Sequence, residues 1–135
     1  MTVAGWGRRR RADPRGFSLI ELVVVLAIIG ILVATAVPIY LGARKKAYKA
    51  EADSTLQEIK TMEWAYYLEN SAFADSLASL GVSPPPSKFW SYTIPTATDS
   101  TVTIVATGQA APLGPGDQVS LTLNRDGSST MSATL

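Results

Sequence analysis

The apolar positions follow three successive patterns along the chain. From Leu22 to Leu41 they are almost continuous, with no charged residue and a single Ser or Thr, Thr35. Twenty helical residues at 1.5 Å each span about 30 Å, the thickness of a bilayer's hydrocarbon core. From Ala43 to Leu68 strong helix formers dominate, and Leu56, Ile59, Met62, Tyr66 and Phe73 recur at spacings of three, four and seven. That spacing predicts one apolar face of an amphipathic helix, with Lys49 and Asp53 (i,i+4) and Lys60 and Glu63 (i,i+3) as pairs on the exposed side. No strong breaker intervenes before Gly81, so the two stretches read as one helix from about Ser18 to about Asn70.

The third regime has period two. Pro84-Pro85-Pro86 bars helix and ladder alike and reads as a stiff connector. Beyond it alternate Trp90, Tyr92 and Ile94, then Val102, Ile104 and Ala106, then Val119, Leu121 and Leu123, and less clearly Met131 and Ala133. Polar residues between them predict strands with one buried face. Asp126-Gly127 marks a hairpin turn between the last two strands, and the Gly-, Pro- and Ala-rich stretch from Gly108 to Asp117 joins the second and third. The expected class is α+β, a long N-terminal helix packed through Leu56, Ile59 and Tyr66 on a small antiparallel sheet of three or four strands.

Charge adds an asymmetry. The chain has 135 residues and a net charge of +1, but Arg8, Arg9, Arg10, Arg11 and Arg15 stand against Asp13 alone in the first sixteen. The remainder holds seven Lys and Arg against ten Asp and Glu, a net −3. The basic balance belongs to the N-terminal leader, and no nucleic-acid partner is read from it. Arginines ahead of an apolar helix favour an N-terminus kept in the cytoplasm. Arg44, Lys45, Lys46 and Lys49, just past the other end, pull the opposite way. They read either as a solvated collar at the bilayer surface or as partners for acidic groups on neighbouring subunits. Within the apolar helix, Gly30 and Pro38 are weak points, one by propensity, the other by its missing amide and its crowding of the Ala34 carbonyl. Glu21 is a lone carboxylate at the head of this stretch, a costly place for a charge and a reason to look for its partner.

Gly16-Phe17-Ser18-Leu19-Ile20-Glu21-Leu22, followed by the long apolar run, resembles the class III signal of type IV pilins and of the pseudopilins of type II secretion. The strong likeness covers about Arg15 to Tyr40. The resemblance implies cleavage by a prepilin peptidase between Gly16 and Phe17, N-methylation of Phe17, and assembly of a helical homo-oligomeric filament in which Glu21 pairs with the N-terminal amine of a neighbour. It implies as further partners the inner membrane before assembly and the assembly platform with its ATPase machinery, and melting near Gly30 and Pro38 as the filament forms. The parts expected are a leader at 1–16, a transmembrane and filament-core helix at 17–42, and a globular head at 43–135. Tyr66-Tyr67, Phe73 and Leu77 to Gly81 resemble the helix exit of the family, with Asn-Ser and Phe-Ala where Asn-Gly and Tyr-Pro are usual.

The function expected is that of a type IV pilus-like structural subunit serving motility, adhesion or DNA uptake, single-pass in the inner membrane before assembly and at the cell surface after it. One alternative is a secretion pseudopilin in a periplasmic filament. Another is a secreted or anchored binding domain that never polymerises, released by an ordinary signal peptidase at Ala34-Thr35-Ala36 so that the chain starts near Val37.

Enzyme chemistry is not expected. The chain has no Cys and no His, which removes disulfides, thiolate nucleophiles and the commonest general base and metal ligand. The C-terminal disulfide of many type IV pilins cannot form here, so the small core lacks a staple and lattice contacts are expected to add to its stability. Gly114-Pro115-Gly116 has a proline where a phosphate cradle needs an amide. Asp99, Asp117 and Asp126 offer oxygens for calcium, which major pseudopilins hold near the C-terminus, but turn aspartates explain themselves and no cofactor is expected.

Overall fold

The computed structural model describes residues 16–135; the arginines at 8–11 and 15 lie outside the described residues. The chain divides into two compact units, one ending at Val37 and one beginning at Pro38, and a single helix, α1 (Leu19–Asn70), contributes to both. The helix stays regular at Gly30 and across Pro38.

In the first unit every described residue is exposed, including Leu22, Val23, Ile28 and Leu32. Thr35 donates its hydroxyl to the Leu32 carbonyl at 3.0 Å, so the one Ser or Thr of the apolar stretch is satisfied within its own helix. By length and composition this part of α1 can cross a membrane.

In the second unit four strands, β1 (Trp90–Ala97), β2 (Thr101–Gly108), β3 (Gln118–Asn124) and β4 (Ser129–Thr134), form an antiparallel meander in sequence order. Register follows the alternation: Val102 faces Leu123, Ile104 faces Leu121 and Ala106 faces Val119, all buried. These side chains, with Trp90, Phe73 and Leu113, form the core together with Ala52, Leu56 and Ile59 of α1. Pro95 sits on the edge strand β1 at a register shift between Thr93 and Thr96, where a missing donor does least harm to the ladder. Gly127, at φ 83°, makes the β3–β4 turn, and a Cβ there would lie 3.4 Å from the Trp64 ring. Gly108 is required for another reason: a Cβ would come within 2.6 Å of the Gly114 carbonyl oxygen of the returning loop.

Four sequence expectations are corrected. The buried face of α1 runs Ala52, Thr55, Leu56, Ile59 and Glu63, so Met62 is exposed and Glu63 is buried. Tyr67, not Tyr66, packs on the core, stacking on Phe73 with ring centroids 4.6 Å apart. After Ile59 the face advances by fours, and a polar residue on that track hid it from a hydrophobic count. The expected Lys60–Glu63 surface pair therefore does not form, whereas Lys49–Asp53 does, at 2.6 Å. Last, β4 is exposed on both faces, so Met131 and Ala133 are strand residues without a buried side.

Candidate functional site

The candidate site begins at the exposed N-terminal end of α1. Gly16 has open space around it, and Phe17 is 87% exposed. Ser18 is the residue before the helix, and Glu21 is its third residue. The Glu21 amide donates to Ser18 Oγ at 3.3 Å, and the Ser18 amide donates back to Glu21 Oε2 at 3.4 Å. This is a capping box, in which two orphan helix donors are satisfied reciprocally. Sequence reading treated Glu21 as a carboxylate without a local partner; the Ser-x-x-Glu spacing was the signal that finds this one. The bonds are long, and the carboxylate remains exposed at the head of an apolar surface. Glu21 is thus available to a cation from outside the chain.

The basic cluster past the apolar stretch is divided by the fold. Lys45 donates to both carboxylate oxygens of Asp117, at 2.9 and 3.1 Å, across 72 residues of sequence. Asp117 Oδ2 also accepts the Gly114 amide at 2.8 Å. The Lys45 hydrogen bond, aided by Gly114, holds the Asp117 carboxyl below the usual range against the effect of its burial. Lys49 pairs with Asp53. Arg44 donates to the Tyr48 hydroxyl at 3.2 Å and pairs with no carboxylate among the described residues.

Of the aspartates considered for calcium, Asp117 is occupied by Lys45, and Asp126 accepts the Ser128 amide at 2.8 Å within the β3–β4 turn. Among the described residues no three Asp, Glu, His or Cys side chains gather as a metal site would require. Asp99 lies in the β1–β2 turn with neither of them in such a group.

A family model described as type IV pilin-like G and H matches residues 49–120, more than half of the chain. The chain belongs to the type IV pilin-like family. A second model, the prokaryotic N-terminal methylation motif, matches residues 11–37, the stretch that holds Gly16, Phe17 and Glu21. Among similar proteins, the type IV major pilin protein PilA of Myxococcus xanthus is 33% identical over 92 residues, covering 67% of this chain and 42% of its own. The wide pilus major component PilA4 of Thermus thermophilus is 35% identical, covering 55% of this chain and 59% of its own. The type II secretion system core protein G of Dickeya chrysanthemi is 36% identical, covering 50% of this chain and 44% of its own. The matches therefore span about half the length of these relatives. The pilin-like fold expected from the sequence is the one observed, with a long helix on a four-stranded antiparallel sheet.

Proposed function

We propose that this chain is the precursor of a structural subunit of a type IV pilus-like filament. It is inserted with its leader in the cytoplasm, cut by a prepilin peptidase between Gly16 and Phe17, methylated at Phe17, and drawn by the assembly platform and its ATPase into a filament at the cell surface. The observation that carries this reading is the methylation-motif match over residues 11–37, which runs through most of a wholly exposed apolar stretch of helix. An apolar surface of that extent is tolerable in lipid or against copies of itself, and not in water. Moving from lipid to filament exchanges one apolar setting for another, so packing and polar matching must supply the selectivity.

Glu21 supplies the polar match. Its carboxylate is unfavourable among apolar neighbours and is relieved by the amine of Phe17 on an adjacent subunit, which sets the axial register. Gly30 and Pro38 mark the part of α1 that yields as subunits pack. The capping box gives Glu21 a second role, and two substitutions separate the roles. Glu21→Gln can keep the cap, since glutamine serves in a capping box, but removes the charge. Glu21→Ala removes both. Both variants are expected to be processed and to form no filaments by electron microscopy. Normal filaments from Glu21→Gln would show that the cap, and not the charge, is what matters.

The pseudopilin reading is favoured by the secretion-system relative. It shares the same processing and the same Glu21 chemistry and differs in the length and place of the filament. A non-polymerising domain cut near Val37 is distinguished by the first residue of the mature chain.

A further inference from the structure

The four basic residues that follow the apolar stretch are not equivalent once the second unit is folded. Lys45 and Lys49 are neutralised by Asp117 and Asp53. Arg44 and Lys46 pair with no carboxylate among the described residues. Arg44 spends one donor on the Tyr48 hydroxyl, and its guanidinium carbon lies 5.8 Å from the ring centroids of both Tyr40 and Tyr48. A guanidinium has five N–H donors, so most of its capacity is uncommitted. Tyr48 is tilted against Phe89 with centroids 4.0 Å apart, and the Lys88 ammonium sits 5.9 Å over the Phe89 ring. The fold thus brings Lys88 from a distant connection to the cation–ring ladder of α1.

We propose that the cations Arg44 and Lys88, ordered by Tyr48 and Phe89 where these pack on the head's core, together with Lys46 on another side of α1 and the exposed ring of Tyr40, bind the headgroups of anionic phospholipids where α1 leaves the bilayer. The chemistry fits the place. Arg44 follows Leu41, the last residue of the apolar stretch, by three positions. Tyrosine rings settle at headgroup depth, with the ring toward the acyl chains and the hydroxyl toward water. Long basic side chains bury their stems along apolar surface and deliver their charge to phosphates. An acidic face on a second copy would also satisfy the cations; the position of Tyr40 and Arg44, directly at the end of the apolar stretch, favours the headgroup layer. The proposal rests on the reading that α1 occupies a membrane before assembly, and the test separates the two.

The full chain is reconstituted in vesicles of phosphatidylcholine, with and without phosphatidylglycerol, carrying traces of spin-labelled lipid. Insertion into the neutral vesicles reports the membrane reading alone. Electron spin resonance of the motionally restricted lipid then gives the preference for anionic over zwitterionic headgroups. Each cation at a charged surface contributes up to about fivefold. The wild-type chain is expected to prefer the anionic lipid severalfold and to lose that preference in molar salt. Combined R44Q, K46Q and K88Q should lower it severalfold, leaving the part due to the leader arginines, while K60Q, farther along the same helix, should leave it unchanged. The leader arginines are present in every arm, so the difference reports the patch. A combined variant with wild-type preference would overturn the proposal. So would one that keeps its lipid preference yet fails to assemble, which would assign these cations to a neighbouring subunit.

Discussion

At the scale of single residues, Glu63 is the least expected feature of the head. It is fully buried on α1, its Oε2 accepts the Ala74 amide at 3.0 Å, and its Oε1 is buried without a hydrogen-bond partner. Burial pushes its carboxyl up to about 7, Asp75 adds in the same direction, and the Ala74 amide opposes them. The β3–β4 turn carries Arg125 and Asp126, and its Gly127 lies against Trp64, next to Glu63 in sequence. The folded chain holds the proton more tightly than the unfolded one. The stabilisation is complete below about pH 4.5, declines between there and about 7, and is gone above. A difference of this size corresponds to roughly 3–4 kcal/mol. Unfolding of the full chain in detergent, followed by near-UV circular dichroism, should therefore show higher stability at pH 5 than at pH 8. Glu63→Gln should flatten that profile and unfold later than wild type at pH 8; a wild-type chain equally stable at both would contradict the assignment. Asp117 acts in a separate window with the opposite sign, because its lowered carboxyl loses its contribution only as pH falls through that depressed value. Neither residue's role was legible in the sequence. Glu63 looked like a surface partner of Lys60, and Asp117 like an ordinary turn aspartate, because a pattern of polar letters does not show which carboxylate the fold will bury.

At the scale of elements the sequence was far more informative. The expected helix from about Ser18 to Asn70 is α1 to within a residue, because propensity, apolar content and the absence of breakers agree over its whole length. The inward positions of β2 and β3 alternate as read, and the Asp-Gly turn falls where hairpin chemistry places it. The failures came where periodicity was weak: the phase of α1 after Ile59, and β4, whose alternation of Met131 and Ala133 with hydroxyls reports a strand but not a buried face. In the proposed filament, the part of α1 that yields is the stretch from Gly30 to Pro38. It is helical here, and Pro38 cannot donate the amide bond that would tie it to Ala34. Replacing both Gly30 and Pro38 by alanine removes the two penalties and should give filaments that extend less under a given force in an optical trap. Force–extension curves identical to wild type would show that this stretch does not set filament compliance.

At the scale of the whole molecule, two separate selections share one chain. A head with a small core and no disulfide is held by Ala52, Leu56, Ile59 and Tyr67 of α1, among others, against the inner face of a four-stranded meander. The exposed apolar helix has a different requirement, a lipid or protein environment on every side. The type IV pilin-like family match lies in the second unit and the N-terminal methylation motif in the first. The most direct test is the mass and N-terminal sequence of the mature protein isolated from its native envelope. The account predicts a chain that begins at Phe17 and carries one methyl group on its amine. A mature chain beginning near Val37, without the apolar segment, would contradict it.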